Sequence, residues 1–349
     1  MVNRQKKKVC IFTLYSKEGA SSNFRILMFV DDLKKHYDVT TFSFWNKNFV
    51  TKYMNDKKKF FLPIGFQYIW NVIKRIYQIL FIASKSDIVI FQKSVIPKVS
   101  ITYISYLKKK GCKIIFDVDD AIYMSLHDNS DEIAKKADVI VVGNDVLMKH
   151  YSLFNKNTVL FPTVDYSPEY KKYICNTFKN KCIGWIGSKA TINNLDIVVN
   201  AINKVVNEHP EVKFEFICDD KYGYIDKIKN SIFTKWTLDG YKKEVAKFTI
   251  GIMPLEDTEY NRGKCGFKLI QYMNLYKPVI ASPVGINSEI VGNGGLIAKT
   301  EDEWIYAIKK LLFNKKEYEK CIDNIRNEFE KNYSYERLLL MWINLINKI

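Results

Sequence analysis

The stretch that decides the fold begins at Met253-Pro254-Leu255 and continues through Arg262-Gly263-Lys264-Cys265-Gly266-Phe267-Lys268-Leu269-Ile270-Gln271-Tyr272-Met273. It ends in Lys277-Pro278-Val279-Ile280-Ala281-Ser282-Pro283-Val284-Gly285. An apolar strand, a basic glycine loop, a helix, a buried strand and a glycine turn make one βαβ unit. Lys264, Lys268 and Gln271 are spaced so that one helical face carries all three, with Arg262 at the helix mouth. The helix dipole opposes cations at this end, unless an anion binds between them. A solvated basic face is the plain alternative; the pattern points to a diphosphate or nucleotide site.

Outward from this unit, the same alternation runs the length of the chain. Apolar runs occur at Val9–Leu14, Val39–Phe44, Asp87–Phe91, Lys113–Phe116, Val139–Val142 and Thr158–Leu160. Others follow at Cys182–Ile186, Lys213–Ile217, Phe248–Met253, Pro278–Ala281 and Leu296–Ala298. That is too many strands for one open sheet, and 349 residues are too many for one ordinary core. The expected fold is therefore α/β, with two doubly wound domains. A polar break near Pro162 to Asn180 sets the boundaries: residues 1–165, with the last helix (333–349) packing back on them, and residues 166–332.

Lys and Arg number 54 against 38 acids, a formal charge of +16. Only six are Arg, so the excess is lysine, and no reading motif for nucleic acid appears. The seven cysteines are odd in number and widely spaced without a CxxC, which fits a reducing compartment and argues against structural zinc. The four histidines form no metal-binding pair. Met1 to Lys8 is basic but leads into a strand, and Glu18 then interrupts, so neither a signal peptide nor a membrane span is expected. The expected location is cytoplasmic. Phe60 to Ala83 is very apolar, with Lys74 and Arg75 its only charges. It reads either as a buried helix or as an interfacial helix touching an anionic membrane surface, which would make the protein peripheral at the inner face of a membrane.

Ligands of open α/β sheets bind beyond the carboxyl ends of strands, so the residues there are the candidates. After the first strand, Gly19, Asn23 and Arg25 lie in a small-residue loop opening a helix; they read as an anion site or as an ordinary cap with Arg25 solvated. After Phe116, Asp117, Asp119 and Asp120 crowd three carboxylates, an arrangement whose repulsion calls for a polar partner, a metal or a cap. After Ile186, Gly187, Ser188 and Lys189 begin a strand–glycine–helix junction suited to a phosphate.

These residues resemble the retaining glycosyltransferases of the two-Rossmann-domain (GT-B) type, the family 4 group. The resemblance is strongest over Ile183–Leu195 and Arg262–Glu289, and moderate over Ile114–Ala121. It implies two Rossmann-like domains facing a central cleft: an N-terminal acceptor domain and a C-terminal donor domain. It implies transfer from a nucleotide-sugar, UDP- or GDP-linked, to a glycan or lipid-linked saccharide in surface polysaccharide synthesis. Arg262, Lys264 and Lys268, in a sequence without a convincing metal cluster, lead to the expectation of no metal, and no cofactor is expected. In the family a Glu-x7-Glu motif lines the helix, its second Glu on the ribose; here those positions are Gly263 and Gln271. The family's Arg–Lys pair on the diphosphate falls on Ser188 and Asn193, so Lys189, Arg262, Lys264 and Lys268 are its expected replacements. Asp119 or Asp120 takes the place of a His that meets the transferred sugar. Asn287 and Glu289 are the polar members of the loop near the donor.

Three other readings compete. A metal-dependent transferase is favoured by Asp117-Val118-Asp119 alone. A sugar-nucleotide epimerase would need acid–base residues near the donor. A non-catalytic sugar- or nucleotide-binding subunit is kept open by the altered Glu and Arg–Lys positions.

Overall fold

Central strands of a parallel sheet covered on both faces read as short continuous apolar runs. The computed structural model describes residues 6–54, 56–97, 99, 101–125 and 128–349, and here those runs form two such sheets. The first holds β1 (Lys8–Tyr15), β2 (Asp38–Trp45), β3 (Ile88–Gln92), β4 (Lys113–Val118), β5 (Val139–Val142) and β6 (Thr158–Leu160) in the order β2-β1-β3-β4-β5-β6. The second holds β7 (Cys182–Ile186), β8 (Lys213–Cys218), β9 (Ser231–Lys235), β10 (Ile250–Met253), β11 (Val279–Ala281) and β12 (Gly295–Ile297) in the order β12-β11-β10-β7-β8-β9. Every strand pair is parallel, and β3 and β7 are buried at every position.

The chain divides into two units, residues up to Thr163 with Leu338–Ile349, and Val164–Arg337. In the first, the closing helix (Tyr335–Lys348) sets the Trp342 ring 5.1 Å from that of Phe161. The Tyr37 hydroxyl donates to Asn347 Oδ1 of the same helix at 2.8 Å. In the second, Trp185 and Trp304 anchor a core of Ile, Val and Phe side chains. The Glu301–Phe313 helix that covers it starts with a reciprocal cap between Thr300 and Glu303.

One strand, β9, has no counterpart among the apolar runs of the sequence. Its five residues, Ser-Ile-Phe-Thr-Lys, are half-buried or exposed at the sheet edge, so no continuous apolar run marks it. In each sheet the chain order reverses once, beside β1 between β2 and β3, and beside β7 between β8 and β10. Such reversals open a crevice at the carboxyl ends of the strands.

Gly184 of β7 lies against Phe248, and a Cβ there would fall 1.9 Å from the phenyl ring. Gly184→Ala is expected to lower stability by about 1–3 kcal/mol through overpacking, read as a lower urea midpoint with an unchanged slope.

Candidate functional site

At the carboxyl ends of β1, β3 and β4 the first unit gathers a closed polar network. Gln92, the last residue of β3, is fully buried and accepts from the Ser22 hydroxyl at 2.8 Å, while its amide donates to Ser21 Oγ at 2.9 Å. Ser21 in turn donates to Asp119, 2.7 and 2.8 Å from its two oxygens. Lys93 follows Gln92 with φ +62°, a left-handed conformation that costs a lysine about 1–2 kcal/mol. That conformation accompanies an ammonium held between two carboxylates, 3.1 Å from Asp119 and 2.5 Å from Asp120. Burial alone would lower the Lys93 ammonium, but Asp119 and Asp120 outweigh it and raise it above the ordinary lysine range. Burial would likewise raise Asp119, yet Lys93, Arg25 and the Ser21 hydroxyl together hold it below the usual carboxylate range.

Lys93 and Gln92 were not singled out in the sequence. Their signal was there: two polar residues closing an otherwise apolar strand, beside a strand end crowded with carboxylates.

Arg25 corrects both sequence readings of the first loop. It is neither at an anion site nor solvated: 3 % exposed, it bonds Asp117 at 2.5 Å, the Phe161 carbonyl at 2.6 Å and Thr163 Oγ1 at 3.1 Å. Gly19 precedes a helix of only six residues (Ala20–Arg25) and packs against Tyr15, and Asn23 spends its N–H on the Gly19 carbonyl. The three carboxylates therefore already face cations: Asp117 faces Arg25, and Asp119 and Asp120 face Lys93.

In the second unit, the loops after β7, β10 and β11 meet. The Glu256 N–H donates to Asn194 Oδ1 at 3.0 Å, and the Leu255 N–H to Ser282 Oγ at 3.0 Å. Gly187 must lack a side chain, because a Cβ there would lie 2.3 Å from the Trp185 ring. Ser188 and Lys189 are exposed, and the Lys189 N–H is given to Asp219 Oδ1 at 3.2 Å. The helix expected directly after this loop is first a 3-10 segment, Ile192–Ile197, and turns α-helical only at Val199.

The basic block is also shorter in its helix than its spacing suggested. Thr258 caps a single turn, Glu259–Arg262, and the main helix runs Phe267–Met273 behind Gly266 at φ +62°. Lys264 thus sits in the turn before the helix rather than on the helical face with Lys268. The Lys264 ammonium lies 4.8 Å from the Tyr260 ring centroid, and that of Lys268 lies 5.6 Å from the centroid of buried Trp185. Among the described residues neither has a hydrogen bond or a carboxylate partner. Burial, and then the neighbouring charge of Lys264, pull the Lys268 ammonium down to about 8. Two close cations without an acid between them raise the free energy of the empty site and become favourable when an anion enters.

Arg262 differs: it is exposed and forks onto Asp257 at 2.6 and 3.1 Å. Gln271 is turned inward, its amide 3.4 Å from Asp165 Oδ2, the oxygen that also accepts from Tyr170 and Tyr241 at 2.6 Å each. That buried carboxylate hub lies where the sequence suggested only a linker. Asn287 is buried and holds the Ser282 carbonyl at 3.1 Å, whereas Glu289 is exposed.

Solved structures share this architecture, among them a glycosyltransferase and proteins determined with UDP. Anabaena HepE, determined with UDP, superposes with a TM-score of 0.66 at 12% identity, over 98% of this chain and 100% of HepE. A Rickettsia africae glycosyltransferase gives 0.66 at 13% identity over 98% of each chain. A variant of S. aureus TarM, determined with UDP among its ligands, gives 0.60 at 18% identity, over 79% of this chain and 59% of TarM. At such identities the likeness is one of fold, and the fold is GT-B. Residues 180–314 match the model of the family Glycosyl transferases group 1, and the chain is a transferase. A search of curated protein sequences finds no significant match.

Lys268 is half-buried, and a cation withdrawn from water with no hydrogen-bond acceptor or carboxylate beside it among the described residues destabilises the protein that holds it. The folded value of Lys268 lies below the ordinary 10.5, so its cost is fully present below pH 8 and is relieved as pH rises from there to 10.5. Lys268→Met is expected to raise stability on the order of 1–3 kcal/mol at pH 7, with the gain vanishing near pH 10.5, as read by urea unfolding at the two pH values.

Proposed function

We propose that the chain transfers a sugar from a UDP- or GDP-linked donor to a saccharide or lipid-linked saccharide of a surface polysaccharide, with retention of configuration. The observation that carries this reading is the pair Lys264 and Lys268 at the mouth of the Phe267–Met273 helix, two cations that lie against aromatic rings and have no carboxylate partner among the described residues. They fit a diphosphate: each contact to its oxygens is charge-assisted, and the departing charge is stabilised by groups already in place. Lys189, Ser188 and Gly187 on the neighbouring loop, and Asn287 and Glu289 on the next, complete the proposed donor site. Gln271 supports it from within through Asp165, a structural duty in place of a ribose contact.

In the transfer the bond from the sugar's anomeric carbon to the diphosphate breaks. The acceptor oxygen bonds that carbon, and the acceptor's proton goes to the departing diphosphate. Residues 166–332 take the donor, and residues 1–165 serve the acceptor and the transferred sugar. Asp119, held ionised by Lys93 and Ser21, suits hydrogen bonds from sugar hydroxyls, and Asp120 beside it does the same. Because Lys93 and Arg25 occupy the carboxylates that a DxD metal site would use, the proposed transfer runs on cationic side chains. Activity should survive EDTA, and its loss with recovery on Mg²⁺ or Mn²⁺ would return the metal-dependent reading.

The donor assignment is tested by titrating UDP and GDP calorimetrically. Lys268→Ala should weaken binding roughly 10- to 150-fold, the worth of a hydrogen bond to a charged group. Arg262→Ala should cost less, since Asp257 already holds its guanidinium. Affinity in the native protein should fall as pH rises past about 8, where free Lys268 loses its proton, and Lys268→Ala should flatten that slope. Asp119→Asn and Asp120→Asn should keep nucleotide affinity and cut transfer. Loss of nucleotide affinity in the Asp variants with retention in Lys268→Ala would put the donor in the first unit. The replacement of the family's Arg–Lys pair by Ser188 and Asn193 favours a second reading, a non-catalytic binding subunit. That reading predicts nucleotide-sugar binding with neither transfer nor hydrolysis.

A further inference from the structure

The Phe61–Phe81 helix is built inside out. Its inward face carries, beside buried Ile79, polar side chains bonded to main-chain carbonyls. Tyr68 donates to the Pro97 carbonyl and Asn71 to the Phe44 carbonyl, both at 2.6 Å. Arg75, 1% exposed, donates to the Phe42 carbonyl at 3.3 Å and lies 4.4 Å from the Phe12 ring centroid. The outward face is the apolar one: Phe61 is 73% exposed, Phe66 75%, Ile69 61% and Trp70 57%. Among the described residues, more than half of the large apolar side chains left exposed sit on this one helix. The buried-helix alternative from the sequence is thus overturned. Exposed apolar side chains normally occur singly, and a contiguous face of them marks a surface that another phase or partner covers.

The charges around the face select the partner. Residues 57–86 contain no acid. Lys57, Lys58 and Lys59 are exposed at the helix start, and Lys52 and Lys59 lie 5.3 and 5.7 Å from the Phe60 ring. Lys74 lies 5.4 Å from the Trp70 ring, on the apolar face itself. A second copy of the chain would bring the same cations and no acid to meet them. An anionic lipid surface offers both things the face lacks: hydrocarbon for Phe66, Ile69 and Trp70, and phosphates for the lysines. The helix is roughly 30 Å long, so it can lie along the headgroup boundary, with aromatic rings and lysines at the depth they favour. No helix among the described residues is long and apolar enough to cross a membrane.

We propose that the outward face of the Phe61–Phe81 helix is a docking surface for an anionic lipid bilayer, lying in its interface with Phe66 and Trp70 as apolar anchors and Lys57–Lys59 and Lys74 as headgroup contacts. This surface is independent of the donor site, so vesicle binding is measured without any nucleotide or sugar, and its outcome leaves the transferase reading untouched.

The probe is flotation of the full chain with phosphatidylcholine vesicles containing roughly 30% phosphatidylglycerol, against phosphatidylcholine alone. Binding to the anionic vesicles is expected and should weaken as salt rises. Replacing Phe66 and Trp70 together by Gln should weaken it at least about tenfold. Replacing Lys57, Lys58 and Lys59 by Gln should weaken it on the order of 100-fold on anionic vesicles and leave neutral ones unaffected. All five positions face solvent or lie in the exposed turn, and circular dichroism of each variant should match the parent. Retention of vesicle affinity in the Phe66/Trp70 variant overturns the proposal. So does equal partition to neutral and anionic vesicles, or a salt-stable dimer that the same substitution dissolves and that does not bind vesicles.

Discussion

Strands covered on both faces have no solvent to give a charged side chain, so each ionic group near them must be matched by another or sit where a ligand can match it. Parallel sheets impose this most strictly, because helices occupy both sides. In the first unit Asp117 holds Arg25, Asp119 and Asp120 share Lys93, and buried Arg75 is held by the Phe42 and Thr13 carbonyls and the face of Phe12. In the second unit the matching is complete around Asp165, with two tyrosine hydroxyls and the Gln271 amide on one oxygen. At Lys268 it fails. Its ammonium lies over the face of Trp185, with Lys264 for a neighbour and no counter-charge among the described residues.

The failure and the matched sites have different meanings. A buried pair that is broken by substitution leaves an uncompensated charge, so Arg25 and Asp117 act as a strut between the first helix and β4. An uncompensated charge that the protein keeps, at the carboxyl end of a sheet reversal, is a feature of sites that bind anions. The inside-out helix follows the same logic at larger scale. Its polar groups are spent inward on carbonyls of the β2 segment, and its apolar groups remain for whatever lies outside.

Much of this was legible in the sequence. Buried apolar runs alternating with helical stretches gave the two parallel sheets, because burial on both faces requires such runs. The short edge strand β9 escaped, since an edge needs no continuous apolar run. The basic block gave the cations, but not their geometry: Gly266 at positive φ delays the helix, and this moves Lys264 off its face. Arg25 and Gln271 were misplaced for one reason. Their partners, Asp117 and Asp165, lie 92 and 106 residues away in the chain, and no local spacing reports a contact that only the folded sheet creates. Lys93 was missed although it stands directly after an apolar strand, where a lysine calls for a carboxylate.

The central claim is that Lys268 is a cation kept for an anion. Its most direct measurement is the titration of the Lys268 ammonium by NMR on protein carrying 15N-labelled lysine, alone and saturated with UDP, with Lys268→Met assigning the signal. The account predicts a midpoint near 8 in the free protein, displaced to the ordinary lysine value of 10.5 or above by the bound diphosphate. A midpoint that stays where it is when UDP is bound would contradict it.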